Sequence, residues 1–75
     1  MTEPTDRQLA VLIAYIEAGG SRQAAARLRC HPGTVRAVLS EVQEVLGAAN
    51  SAQAFAIAVR DGLIRMSDMH LPEAA

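Results

Sequence analysis

The feature that most restricts how this chain can fold is a five-residue break, Arg29-Cys30-His31-Pro32-Gly33. It interrupts a run that otherwise reads as helix from Ser21 to Gly47. Proline inside a helix clashes with the preceding turn, and glycine favours the unfolded chain, so one continuous helix through residues 32 and 33 is costly. Pro32 suits the first position of a new helix, where its missing N–H would have had no partner. The run therefore divides into a short helix, a tight turn and a longer helix. The same run holds four of the seven arginines, Arg22, Arg27, Arg29 and Arg36, with no acidic residue between Glu17 and Glu41. Positive charge gathered about such a turn points to a helix-turn-helix that meets a DNA backbone.

Capping chemistry sets the elements on either side. Thr5 followed three positions later by Gln8 fits a capping box, and Pro4 keeps that helix from extending backward. Leu9, Leu12, Ile13 and Ile16 then fall at i, i+3, i+4 and i+7, one apolar stripe expected to face a core. Gly19-Gly20 ends this helix, and Ser21 is expected to cap the next. In that second helix Ala24, Ala25 and Leu28 face inward, leaving Arg22 and Arg27 outside. A solvated face accounts for these two arginines as readily as a nucleic-acid contact does.

His31 takes the N-cap place of the third helix, Pro32 to Leu46, and Cys30 packs inward as a small apolar residue. Val35, Val38, Leu39, Val42 and Leu46 form its buried stripe. Thr34, Arg36, Ala37, Ser40, Glu41 and Glu44 are left outside, and Gly47 ends the helix. The outer side begins basic and turns acidic about two turns later. A helix that uses only its N-terminal part would carry charge in this order, because recognition helices touch bases mainly with their first turns.

Asn50 caps a fourth helix, with Gln53 repeating the capping-box spacing, and Gly62 closes it. Its middle, Ala52 to Val59, is apolar nearly all round. Ala54, Ile57 and Ala58 are expected to pack on the domain, leaving Phe55 and Val59 as a surplus stripe of the kind that marks an interface. Leu63-Ile64 tuck back on the core. Residues 65–75, with Met66, Met69, Leu71 and Pro72, read as a flexible tail or a segment that docks on a partner, after a domain covering residues 1–64.

Composition narrows the class further. Seventy-five residues make one small domain, which often gains stability by pairing with a second copy. Hydrophobic content is 51% with aromatics at only 3%, and alanine supplies much of the difference, so closely packed helices are the expected architecture. There is no lysine and the net charge is −1, so any nucleic-acid surface must come from uneven placement of charge. A lone cysteine forms no internal disulfide, and no His/Cys/Asp/Glu spacing suggests a metal or other cofactor. An enzyme is not expected: there is no carboxylate pair with a pocket, no nucleophile beside a base and no phosphate-cradling glycine loop. The start, MTEPTDRQ, lacks a signal peptide's charged and apolar regions, and no window reaches membrane-spanning length, so a soluble cytoplasmic protein is expected.

Taken together these residues resemble the DNA-binding domain of the LuxR family, also called GerE-type, of bacterial transcription regulators. The resemblance runs without a gap from Pro4 to Ile64. It rests on Thr5, Arg7, Val11 and Leu12, on Ala25 and Leu28, and on Thr34-Val35-Arg36. It continues through Leu46-Gly47, Asn50, Gln53-Ala54, Ala58 and Gly62-Leu63-Ile64. It implies an all-α, four-helix domain: a tri-helical, winged-helix-like core plus a fourth helix for dimerisation. It further implies that the third helix enters the major groove and that a homodimer binds an inverted-repeat site on double-stranded DNA.

Carried over residue by residue, the resemblance implies a DNA-binding set of Arg22, Thr34, Val35, Arg36, Ala37 and Ser40, and dimerisation by the helix that holds Phe55 and Val59. Arg22 and Thr34 would meet phosphate, and Arg36 would reach base edges or backbone. Ala37 and Ser40 stand where the family often has larger or basic readers, and could offer a methyl contact and a hydroxyl. Val45 replaces a common lysine, His31 the usual serine cap and Gln8 the usual glutamate, and Gly19-Gly20 stands for the usual single glycine. Fewer cations release fewer counterions, which means weaker and less salt-sensitive binding. The family's regulators carry a receiver or ligand-binding domain ahead of this module, and four residues hold none. The expectation is a stand-alone regulator governed by its abundance or by a partner, or a fragment of something longer. The second expectation is an interaction module of the same fold that binds another regulator or a polymerase subunit, with weak or no DNA binding.

Overall fold

Thr5 begins the first helix as its spacing to Gln8 predicts. In the computed structural model, which describes residues 3–65, the Thr5 hydroxyl accepts from the Gln8 N–H at 3.1 Å, and the Gln8 side chain accepts from the Thr5 N–H at 2.9 Å. The helix so started, α1 (Asp6–Ala18), is followed by α2 (Ser21–Leu28), α3 (Pro32–Leu46) and α4 (Ser51–Arg60). Among the described residues every regular element is a helix, and the fold is an all-α four-helix domain. None of these helices is long and apolar enough to cross a membrane.

The packing is centred on α1 and α3, each of which touches the other three helices. Leu12 is completely buried there, and Val11 and Ala14 are buried beside it, while Leu9, Ile13 and Ile16 are half-buried against the same core. A helix with neighbours on three sides buries more than one stripe, so the i, i+3, i+4, i+7 pattern captures only part of its contact surface. The α3 stripe is buried as expected through Val35, Val38, Leu39 and Val42, with Leu46 half-buried. Ala14, Ala24, Ala25, Ala54 and Ala58 supply five of the twelve buried apolar residues. Such small residues let helix axes approach closely, but each contributes little area, and Leu12, Ile64, Val35 and Val42 are the largest fully buried side chains. Ile64 closes the core from beyond α4, its N–H bonded to the Ala58 carbonyl at 3.2 Å.

Three local expectations are corrected. Gly20, not Ser21, is the N-cap of α2; glycine has no side chain to cap with, and Ser21 is already the first residue of the helix. The Gln23 amide folds back over Gly20, so a Cβ placed there would lie 2.6 Å from Gln23 Oε1. At α4 the Asn50 side chain accepts from the Gln53 N–H at 2.8 Å, but Gln53 bonds back to the Ala49 N–H instead of Asn50. The capping box is displaced by one residue. Finally, Arg27 is exposed on α2 yet bonded to the shielded Glu17 of α1 at 2.9 Å, so it is not a free cation. With one partner open to water, that pair adds at most about 1 kcal/mol. Met66, Met69, Leu71 and Pro72, the residues of the expected tail, lie outside the described residues.

Candidate nucleic-acid interface

The turn between α2 and α3 is built by two backbone bonds and one imidazole. The Cys30 N–H reaches the Ala25 carbonyl at 3.0 Å and the Arg29 N–H reaches that of Ala26 at 3.4 Å, which closes α2. This closure needs a left-handed residue, and here it is Arg29, with φ 57° and ψ 48°. Gly47 holds the equivalent place after α3, with φ 67°. An L side chain in that conformation costs roughly 1–2 kcal/mol relative to the right-handed region. Part of this is offset because glycine has more freedom to lose on folding. Arg29→Gly is therefore expected to stabilise the domain by about 0.5–1 kcal/mol, a rise of several degrees in a thermal melt. An unchanged or lower midpoint would show that the Arg29 side chain contributes more than its backbone costs.

His31 then starts α3. Its backbone is extended, and its Nδ1 accepts from the Gly33 N–H at 2.8 Å, so the ring is in the tautomer that keeps its proton on Nε2. Gly33 leaves room for this, since a Cβ there would lie 3.0 Å from His31 Nδ1. The same Cβ would be 4.0 Å from Arg36 Nη2, which places the Arg36 guanidinium over the first turn of α3. The cap expected at His31 forms, with a ring nitrogen doing the work of a serine hydroxyl.

The exposed side of α3 consists of two adjacent strips at helical spacing. Thr34, Ala37 and Glu41 make one, and they line a shallow surface groove together with Gly33, Val38 and, from the start of α1, Thr5, Arg7 and Gln8. Arg36, Ser40 and Glu44 make the other, all three exposed. Each strip opens with a group that can donate to an anion and ends in a carboxylate. Glu41 is tied across to α1, its Oε1 accepting from Gln8 Nε2 at 3.3 Å. This explains the glutamine at position 8: it serves the Thr5 N–H with its oxygen and Glu41 with its nitrogen. A glutamate there could do only the first and would set two carboxylates against each other. Glu44 is eight residues from Arg36, about 12 Å along the axis, which exceeds the Debye length of roughly 8 Å at physiological salt.

Of the six residues in the expected DNA-binding set, Thr34, Arg36, Ala37 and Ser40 share this face of α3. Arg22 is exposed on the first turn of α2, and no contact joins it to the groove. Val35 is corrected: it is completely buried and packs in the core, so it has no surface to offer a ligand. Among the described residues Arg7, Arg22, Arg29 and Arg36 form no ion pair, whereas Arg27 is bonded to Glu17 and Arg60 to Asp61. The Asp61 carboxylate, 2.9 Å from Arg60 Nε, raises the Arg60 pKa above its ordinary value, through the hydrogen bond first and charge second.

Arg7 was not in the expected set. Its side chain is exposed and borders both this groove and a neighbouring cleft lined by Ala10, Leu28, Cys30 and Thr34. The sequence places Arg7 on the first turn of α1, but only the packing of α1 across α3 brings it beside Thr34. The apolar surface of α4 also differs from expectation. Phe55 and Val59 are half-buried against the core, while Ile57, expected to pack inward, borders a groove with Pro4, Val45, Leu46 and Leu63. Ala54 and Ala58 lie fully inside, so α4 sits low on the domain and the longer side chains between them reach its flanks. The chain matches no model of a known protein family, no curated protein and no solved structure.

Proposed function

We propose that this protein is a DNA-binding transcription regulator of the LuxR type, acting in the bacterial cytoplasm, that lays the first two turns of α3 in the major groove. One observation carries the reading. The exposed face that begins at the α2–α3 turn offers Thr34 and Arg36 with no partner of their own, and no carboxylate appears on it before Glu41. The fold supports it, since α2 and α3 form two packed helices joined by a short turn, the arrangement that lets one helix cross the backbone while the next enters the groove. The gapless sequence resemblance from Pro4 to Ile64 supports the family and the dimer. Selection of bound fragments from a random duplex pool tests the proposal. Enrichment of an inverted repeat is the expected outcome, and a pool that stays random at low ionic strength would overturn it.

A second reading is favoured by different residues. Ala37 and Ser40 give α3 little reach toward base edges, and Val45 with Ile57 leaves apolar surface between α3 and α4. An interaction module that binds another regulator or a polymerase subunit would use that side and would show weak or no DNA affinity even at low salt, with stable co-purification of a protein partner.

Dimerisation through α4 is a separate proposal, resting on Phe55 and Val59, which keep part of their surface open. Sedimentation at micromolar concentration is expected to show a dimer that Phe55→Glu converts to monomer. Because Phe55 also packs on the core, the variant's helicity is measured alongside. A wild-type monomer would rule out a dimer that forms without DNA.

A further inference from the structure

The groove along the outer side of α3 is completed by α1, and this gives Arg7 a place in ligand binding that its position in the sequence does not suggest. Thr5, Arg7 and Gln8 from α1 and Gly33, Thr34 and Ala37 from α3 line one continuous surface. Arg7 is the arginine that lines this groove, while Arg36 stands on the adjacent strip of α3, its Nη2 4.0 Å from where a Gly33 Cβ would lie. Neither arginine has a carboxylate partner among the described residues. The nearest acid in the groove, Glu41, is bonded to Gln8 instead of to Arg7. An exposed, unpaired arginine beside a free hydroxyl is suited to a phosphodiester, because guanidinium donates to phosphate in a fixed fork geometry.

We propose that Arg7 is a phosphate-contacting residue that grips the DNA backbone at the edge of the major groove occupied by α3. This rests on the DNA-binding reading and extends its contact surface from α2 and α3 onto α1. Gln8 acts here as a positioning residue: by holding Glu41 toward the α1 cap, it keeps that carboxylate from neutralising the adjacent guanidinium. A contact of this kind carries no sequence information and adds equally to binding of every duplex.

The test is the salt dependence of duplex binding, measured by fluorescence anisotropy for wild type, Arg7→Gln, Arg7→Lys and Arg60→Gln. Arg7→Gln is expected to weaken binding to a selected duplex and to a scrambled one by the same factor. It should also lower the slope of log affinity against log salt by about 0.9, the value of one phosphate contact. Arg7→Lys should restore most of that slope, and Arg60→Gln, which removes a cation already paired with Asp61, should leave it at the wild-type value. A wild-type slope in Arg7→Gln would overturn the contact while leaving DNA binding intact. Weakening confined to the selected duplex would also overturn it, since that marks a base reader. A wild type that binds no duplex at low salt would instead overturn the DNA-binding reading beneath it.

Discussion

Leu12→Ala is expected to cost about 2–5 kcal/mol and to lower the thermal midpoint by more than 10 °C. Leu12 is completely buried on α1, which like α3 packs against each of the other helices, so the cavity would open inside the shared core. A domain of 75 residues has a total stability of roughly 4–11 kcal/mol at 0.05–0.15 kcal/mol per residue. This one is expected in the lower part of that range, because five of its twelve buried apolar residues are alanines that exclude little water. Far-UV circular dichroism against temperature checks the expectation, with Ile13→Ala, a half-buried residue on the same helix, as the comparison. A Leu12→Ala midpoint no lower than that of Ile13→Ala would show that complete burial at position 12 does not set the cost.

The fold was legible because each helix boundary is written in local chemistry. Thr5 with Gln8, Pro32 after His31, and Asn50 before Ser51 start helices by bonds that span only a few residues. Gly47 and Gly62 stop them by accepting positive φ. Where the boundary depends on a residue with no such preference, the sequence misleads. Ser21 looks like a cap although Gly20 holds that place; α2 does end at Arg29, where the five-residue break begins, but in a left-handed conformation that glycine or asparagine would ordinarily signal.

Burial was less legible than helix position, for a geometric reason. Periodicity says which residues share a face, but not which face the neighbours choose. On α4 the stripe containing Ala54 and Ala58 is buried because those side chains permit close approach, and this carries Phe55 and Val59 to the core's margin while Ile57 stays at a groove. The candidate site divides the same way. Thr34, Arg36, Ala37 and Ser40 could be read from one helix, whereas Arg7 beside Thr34, Gln8 on Glu41 and Glu17 on Arg27 are contacts between helices. Residues far apart in sequence meet in each of them, and no spacing rule within a helix reaches that far. The effect is to relocate the unpaired charge. Of the four arginines between Ser21 and Gly47, Arg27 is withdrawn by Glu17, and Arg7 from outside that run takes its place among the unpaired ones.

The proposed role of α3 rests on Thr34 and Arg36, and replacing both with alanine gives the largest expected loss of binding. A phosphate-bound hydroxyl contributes about 1 kcal/mol and an arginine at a base edge about 1–3 kcal/mol, so the double variant should bind its selected duplex roughly 30-fold more weakly or worse. Unfolding would not explain such a loss. Arg36 is exposed with no ion pair, and the half-buried Thr34 makes no side-chain hydrogen bond among the described residues. Alanine is also the better helix former at both positions, so the variant should melt no lower than wild type. Electrophoretic shifts at fixed salt give the affinity, and the salt slope then separates two modes of contact for Arg36. A slope lowered by about 0.9 in Arg36→Ala assigns the arginine to phosphate, whereas a wild-type slope with relaxed sequence preference assigns it to a base edge. A stable double variant that binds with wild-type affinity would remove α3 from the DNA interface, and with it the placement of Arg7 at that helix's groove.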